Sequence, residues 1–214
     1  MLRFSSAPKT ARTEKLVCNG VDIVPPRVVR NLGVHMDNCL TMSDHVTKTV
    51  QLCFYQLRQL KHVRHFTSND NFKLLLQAFI MSQLDHCNSI LFGQPSKLLD
   101  RLQSVLNAAA RLYVDVSRRT STSDVLRELH WLRVPDRIAY KLCMIVYRCL
   151  HGTAPDYLAD CCVRISDCGT RTAQNRTAAS GNLLVPKTRT STYGVRSFRV
   201  TAPLCWNSLP VLPA

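Results

Sequence analysis

The sequence predicts a mainly α fold: a helical bundle with a short β-hairpin edge before it and an irregular basic arm after it. Three observations carry this. An Asn-Gly dipeptide joins two short apolar runs ahead of Pro25, apolar residues then recur at helical spacing from about Ser43 to His151, and beyond Pro155 that spacing gives way to a segment where Thr, Ser, Gly and basic residues are frequent. Hydrophobic residues make up 46% of the 214 positions, enough to build a packed core and too many for a disordered chain. The expected organisation is therefore a β edge over residues 1–40, a helical bundle over 41–162 and a basic arm over 163–214.

The N-terminal hairpin pairs Lys15–Cys18 with Val21–Val24 around Asn19-Gly20, because Asn-Gly accepts the positive φ angles of a type I′ turn. Pro25-Pro26 stops the pairing, since proline donates no ladder hydrogen bond. The apolar run from Val28 to Met36 predicts a third strand. Next, Val46, Val50, Cys53, Leu57 and Leu60 fall on one face of a first long helix. Ser68 is an N-cap for a second helix carrying Phe72, Leu75, Leu76, Phe79 and Ile80 inward. Gly93 and Pro95 break the chain before a third helix from Ser96, with Leu99, Leu102, Leu106, Ala109 and Tyr113 inward. A short helix is expected between Ser123 and Leu132. The last long helix opens near Pro135, buries Ile138, Leu142, Ile145, Val146 and Cys149, and stops at Gly152. A strand at Leu183–Val185 and docking of Trp206 on the bundle complete the reading.

Charge is the strongest functional signal in the composition. Lys and Arg number 28 against 14 acids, a net +14, and such an excess points to a polyanionic partner. No stretch approaches the ~20 apolar residues that a membrane-spanning helix needs, and Met1–Thr13 has no apolar segment of signal-peptide type. An intracellular protein with reduced thiols is the expectation for the ten cysteines.

Candidate chemistries separate clearly. Two-metal catalysis needs carboxylates a few ångströms apart, yet none of the twelve aspartates lies in an Asp-Asp or Asp-x-Asp pair. Asp156 and Asp160 are four apart, but Asp156 after Pro155 reads as a favourable charge at a helix start. Zinc needs paired Cys or His ligands; His62/His65, His86-Cys87 and Cys161-Cys162 with Cys168 do not combine into such a set. No nucleophile elbow or phosphate-cradling glycine loop is present. No catalytic residue, metal site, cofactor or small-molecule substrate is therefore expected in this chain. Basic helical stripes remain. Arg137, Lys141 and Arg148 lie within roughly 40° of one another on the last long helix at 100° per residue. Lys97, Arg101 and Arg111 form a comparable line on the third, and Arg118-Arg119 follow at its end. These eight are the candidate nucleic-acid contacts, positioned to meet phosphates rather than to read bases; the alternative is a solvated face. Trp131, Tyr140 and Trp206 either stack on bases or fill the core.

Five blocks in order carry a family resemblance: Val29-Arg-Asn-Leu-Gly-Val34, Leu84-Asp-His-Cys-Asn-Ser89, Arg101-Leu-Gln-Ser-Val-Leu-Asn-Ala-Ala-Ala-Arg111, Leu129-His-Trp-Leu-Arg-Val134 and Ala202-Pro-Leu-Cys-Trp-Asn-Ser-Leu-Pro210. Together, over about Ser5 to Pro210, they resemble the region after the palm motifs in LINE-type, jockey-like non-LTR retrotransposon reverse transcriptases. The resemblance implies that residues 1–40 are the trailing β edge of a palm, that the helices are the thumb and its extension, and that the thumb grips RNA or an RNA–DNA duplex. It also implies a parent polymerase whose palm domain supplies the Tyr-x-Asp-Asp motif and binds Mg²⁺. That motif is absent from this chain, as is the family's short basic tail, so the expectation is a fragment inactive in polymerisation that retains sequence-indifferent binding. Two other readings stay open: a helical protein-interaction module, and a non-functional transposon relic.

Overall fold

A computed structural model describes residues 16–23, 26–116, 121–168, 181–190 and 193–210. The fold is mainly helical with antiparallel pairing near the N-terminus, as the sequence predicts. It divides into two compact units, Met1–Cys87 with Gln94–Val134, and Asn88–Gly93 with Pro135–Ala214.

The first unit begins with β1 (Leu16–Cys18) paired antiparallel to β2 (Val21–Ile23), in the register Leu16↔Ile23 and Cys18↔Val21. Asn19 and Gly20 take φ of 51° and 77° at the turn, the geometry that the Asn-Gly signal predicts. The run Val28–Met36 is not the single strand expected. It folds into a second hairpin, β3 (Val28–Asn31) with β4 (Val34–Asp37), turning at Leu32-Gly33. Leu32 adopts φ 47°, which a leucine does not favour. Its carbonyl lies 3.0 Å from His86 Nε2, and a Cβ on Gly33 would stand 2.9 Å from the same nitrogen. The imidazole seat thus selects glycine and holds the turn that local propensity alone does not specify.

β4 ends at Asp37, whose buried carboxylate organises the entry to α1 (Ser43–Val63). It accepts from the N–H groups of Cys39 (2.9 Å), Thr41 (3.0 Å) and Met42 (3.1 Å) and from Thr41 Oγ1 (2.9 Å). α1 buries Val46, Cys53, Leu57 and Leu60 against α4 (Ser96–Val114), which buries Leu102, Val105, Leu106, Ala109 and Ala110.

α2 (Asn69–Leu76) starts at the predicted N-cap, where Ser68 Oγ accepts from Asn71 N at 3.5 Å, and it buries Phe72 and Leu76. A π-helical turn, Gln77–Met81, then interrupts the α-helical spacing before α3 (Ser82–Asp85). This corrects one core assignment. The wider turn keeps Ile80, Met81 and Leu84 inside but leaves Phe79 45% exposed. α5 (Thr122–Glu128) closes with His130 at φ 55°, while Trp131 N donates to Leu126 O (2.9 Å) and His130 N to Arg127 O (3.1 Å). These are the paired bonds of a Schellman motif, made without its usual glycine.

The second unit is built on α6 (Val134–Leu150), which buries Ile138, Leu142, Val146 and Cys149. Gly152, at φ 66°, ends it through another Schellman pair, Thr153 N to Arg148 O and Gly152 N to Cys149 O. The short α7 (Asp156–Ala159) follows Pro155, placing Asp156 in a first helical turn as expected. The predicted strand at Leu183–Val185 reduces to one antiparallel bridge, Arg164↔Leu183.

Where the sequence reading has only an irregular arm ending in a docked aromatic, residues Phe198–Asn207 form a helix, α8. Pro203 sits inside it and masks it in the sequence, because proline breaks an internal helical hydrogen bond. Burial of Val200, Ala202, Pro203 and Cys205 offsets that loss. Val146, Cys149, Cys162, Leu183 and Ala202 form the unit's core, with Phe198 and Trp206 packed against it. Asn207 fastens the arrangement: its Oδ1 accepts from Leu183 N and its Nδ2 donates to Leu183 O, both at 2.9 Å.

Candidate nucleic-acid interface

The basic residues divide into those the fold consumes and those it leaves outside. Arg64 is consumed. Its Nη2 donates to Asn69 Oδ1 (2.8 Å) and to the Tyr113 carbonyl (3.1 Å) in the last turn of α4, and its guanidinium lies 4.9 Å from the Phe72 ring centre. A cation at that carbonyl end is favourable to the helix dipole. Arg111 is also turned inward. Nη2 donates to Thr122 Oγ1 at 2.8 Å, joining α4 to the start of α5, and its side chain is only partly exposed.

Of the predicted line on α4, Lys97 is exposed, Arg101 is half-exposed one turn later, and Arg111 serves the fold. Arg118 and Arg119 lie outside the described residues, as do Arg171 and Arg176 of the basic arm. On α6, Lys141 and Arg148 are exposed and Arg137 is half-buried at the N-terminal end of the same face. Lys97, Lys141 and Arg148 make no ion pair among the described residues; Arg127 faces Asp124 at 3.7 Å. The structure therefore brings together Lys97 with Arg101 on one helix and Arg137, Lys141 and Arg148 on another.

The three aromatic candidates part company. Trp131 lies against Tyr113, ring centres 6.3 Å apart, and Trp206 packs on the second core while donating from Nε1 to Gly181 O (3.4 Å). Tyr140 alone stands outside, 58% exposed. Sequence reasoning missed its companions Tyr147 and His151, whose rings lie 4.1 Å apart at a 42° tilt on the same side of α6. Their signal was available: residues 140, 144, 147 and 151 follow the same three- and four-residue spacing that marks a buried face.

Away from these cations, two histidines and three cysteines titrate away from their usual values. His35, His45 and His86 belong to one electrostatic neighbourhood. His45 is buried with Nδ1 unpartnered, its ring centre 6.4 Å from that of His35, and burial, then His35 and His86, lower its pKa. Burial lowers that of His35 too, with Lys48 and Arg30 adding to the effect and Asp44 opposing it; Lys48 Nζ donates to His35 Nδ1 at 3.3 Å. Burial pushes the thiols of Cys53 up to about 11 and of Cys162 and Cys205 up to about 12, the last with Cys143 Sγ at 3.5 Å. Such thiols are poor nucleophiles at neutral pH. Among the described residues no group of three or more His, Cys, Asp or Glu is placed to hold a metal ion, and no helix is long and apolar enough to cross a membrane. In comparisons with known proteins, no family model, curated sequence or solved structure matches this chain.

Proposed function

We propose that this chain is a thumb-like segment of a LINE-type reverse transcriptase that grips RNA or RNA–DNA duplex through its backbone, without sequence preference. The observation that carries this reading is the set of solvent-facing cations on α4 and α6, Lys97, Lys141 and Arg148, in a chain of net charge +14. Long cationic side chains spaced along a helix neutralise successive phosphates and release their counterions. Such contacts fix position on a backbone and carry no sequence information. Polymerisation belongs, on this reading, to palm carboxylates and Mg²⁺ of the parent enzyme, with the present chain contributing grip.

The test is affinity for an RNA–DNA hybrid measured by fluorescence anisotropy across a salt series. Affinity should fall steeply and linearly on a log–log plot, equally for hybrids of unrelated sequence. Absence of binding at low salt sinks the proposal. A helical protein-interaction module is the competing reading, favoured by the exposed apolar side chains of Phe66, Leu74 and Phe79. It predicts salt-insensitive self-association or partner binding, visible by sedimentation, with no nucleic acid retained.

A further inference from the structure

The outward face of α6 combines two chemistries in one stripe. With Met144 as reference and 100° per residue, Arg137, Lys141 and Arg148 lie within about 60° to one side, and Tyr140, Tyr147 and His151 within about 60° to the other. The buried residues Ile138, Leu142, Val146 and Cys149 occupy the opposite side. Tyr140 is 58% and Tyr147 50% exposed, and Lys141, Arg148 and His151 are exposed as well. No acid occurs between Asp136 and Asp156, and Lys141 and Arg148 make no ion pair among the described residues.

Phosphate binding accounts for the basic edge but leaves the tyrosines unexplained. Two bulky rings held in water by a helix that has an apolar face to spare form a surface suited to stacking. Tyr140 and Tyr147 are seven residues apart, about 10 Å along the axis. Bases in a duplex are stacked at about 3.4 Å and offer their faces only at its ends. Rings at that separation on one helix meet faces only of separate, unstacked bases. His151, against one side of Tyr147, restrains that ring and lowers the ordering it would undergo on binding.

We propose that this face of α6 binds an unpaired nucleic-acid strand, with Tyr140 and Tyr147 each stacking on a base and Lys141 and Arg148 holding the phosphates beside them. Charge complementarity selects a polyanion, and the rings select one whose bases are free. The proposal rests on the reading of the chain as a nucleic-acid binder and adds a second substrate form to it.

The experiment uses the full chain with a fluorescent single-stranded 12-mer and, in parallel, an RNA–DNA hybrid of the same length. Tyr140→Ala and Tyr147→Ala should each weaken single-strand binding roughly five- to a hundredfold, the range for losing one base–aromatic stack. Tyr140→Phe and Tyr147→Phe should restore it, and hybrid affinity should stay within about twofold throughout. Both positions are solvent-exposed, and circular dichroism of each variant checks that the helix persists. Alanine variants that bind the single strand like the wild type overturn this inference, as do variants that weaken both forms equally. A wild type that binds the hybrid but no single strand overturns it while sparing the proposed function. Failure to bind either form overturns both.

Discussion

The Asp37 carboxylate is buried among four donors, and its protonation should be felt by the whole first unit. Burial by itself raises its pKa, but the backbone and side-chain bonds from Thr41, then those from Cys39 and Met42, outweigh it and hold the group below the usual carboxylate range. A depressed folded pKa means that the unfolded state takes up the proton first as pH drops. The stabilisation is therefore present above about pH 4 and lost as pH falls further. His45 acts in a higher window by the same logic: its folded pKa is lowered, so its contribution begins to fade below about pH 6.5. Urea melts from pH 7.5 to 2.5 should show both limbs. His45→Leu should flatten the upper one, while Asp37→Asn should cost about 1–3 kcal/mol at neutral pH and flatten the lower one. Unchanged profiles in both variants would contradict these assignments.

Single elements show where local chemistry speaks for itself and where a neighbour decides. α1, α4 and α6 were legible because their buried residues repeat at three- and four-residue spacing within long helices, Leu102, Leu106 and Ala109 in α4 and Ile138, Leu142, Val146 and Cys149 in α6 among them. The β3–β4 hairpin was not, because its turn depends on His86, far along the chain from Leu32-Gly33. The exposure of Phe79 was hidden for a related reason, as a π turn leaves no mark in a periodic apolar pattern. α8 was obscured by Pro203, whose intrinsic cost is outweighed by packing that only the tertiary structure supplies. The α5 terminus offers a direct check on such conflicts. His130 occupies the left-handed position that glycine takes without steric cost, while its side chain is exposed. His130→Gly should therefore stabilise the protein by about 1 kcal/mol, raising the denaturation midpoint with an unchanged slope. A lowered midpoint would show that the histidine makes contacts worth more than the strain.

At the scale of the molecule, net charge sets the surrounding field and the fold decides which cations carry it at the surface. Composition alone set the expectation of a polyanionic partner, and the helical stripe on α6 was legible from spacing. What the sequence did not reveal was which cations the fold would keep for itself: Arg111 and Arg64 secure the ends of helices, roles set by contacts with Thr122 and Tyr113. Lys141 and Arg148 remain outside. Replacing both with Gln should reduce the slope of log affinity against log salt by about two units on a hybrid, with little change in thermal stability. An unaltered slope would move the contact surface away from α6.

The double hydrogen bond between the Asn207 amide and Leu183 bears on solution behaviour. A stretch of extended backbone with unpaired N–H and C=O groups is a template on which another chain can add as a strand. Here Asn182 O and Leu184 N pair with Ile165 and Val163, while the N–H and C=O of Leu183 itself are occupied by a side chain carried on a helix. One amide thus closes the edge of residues 182–184 against growth.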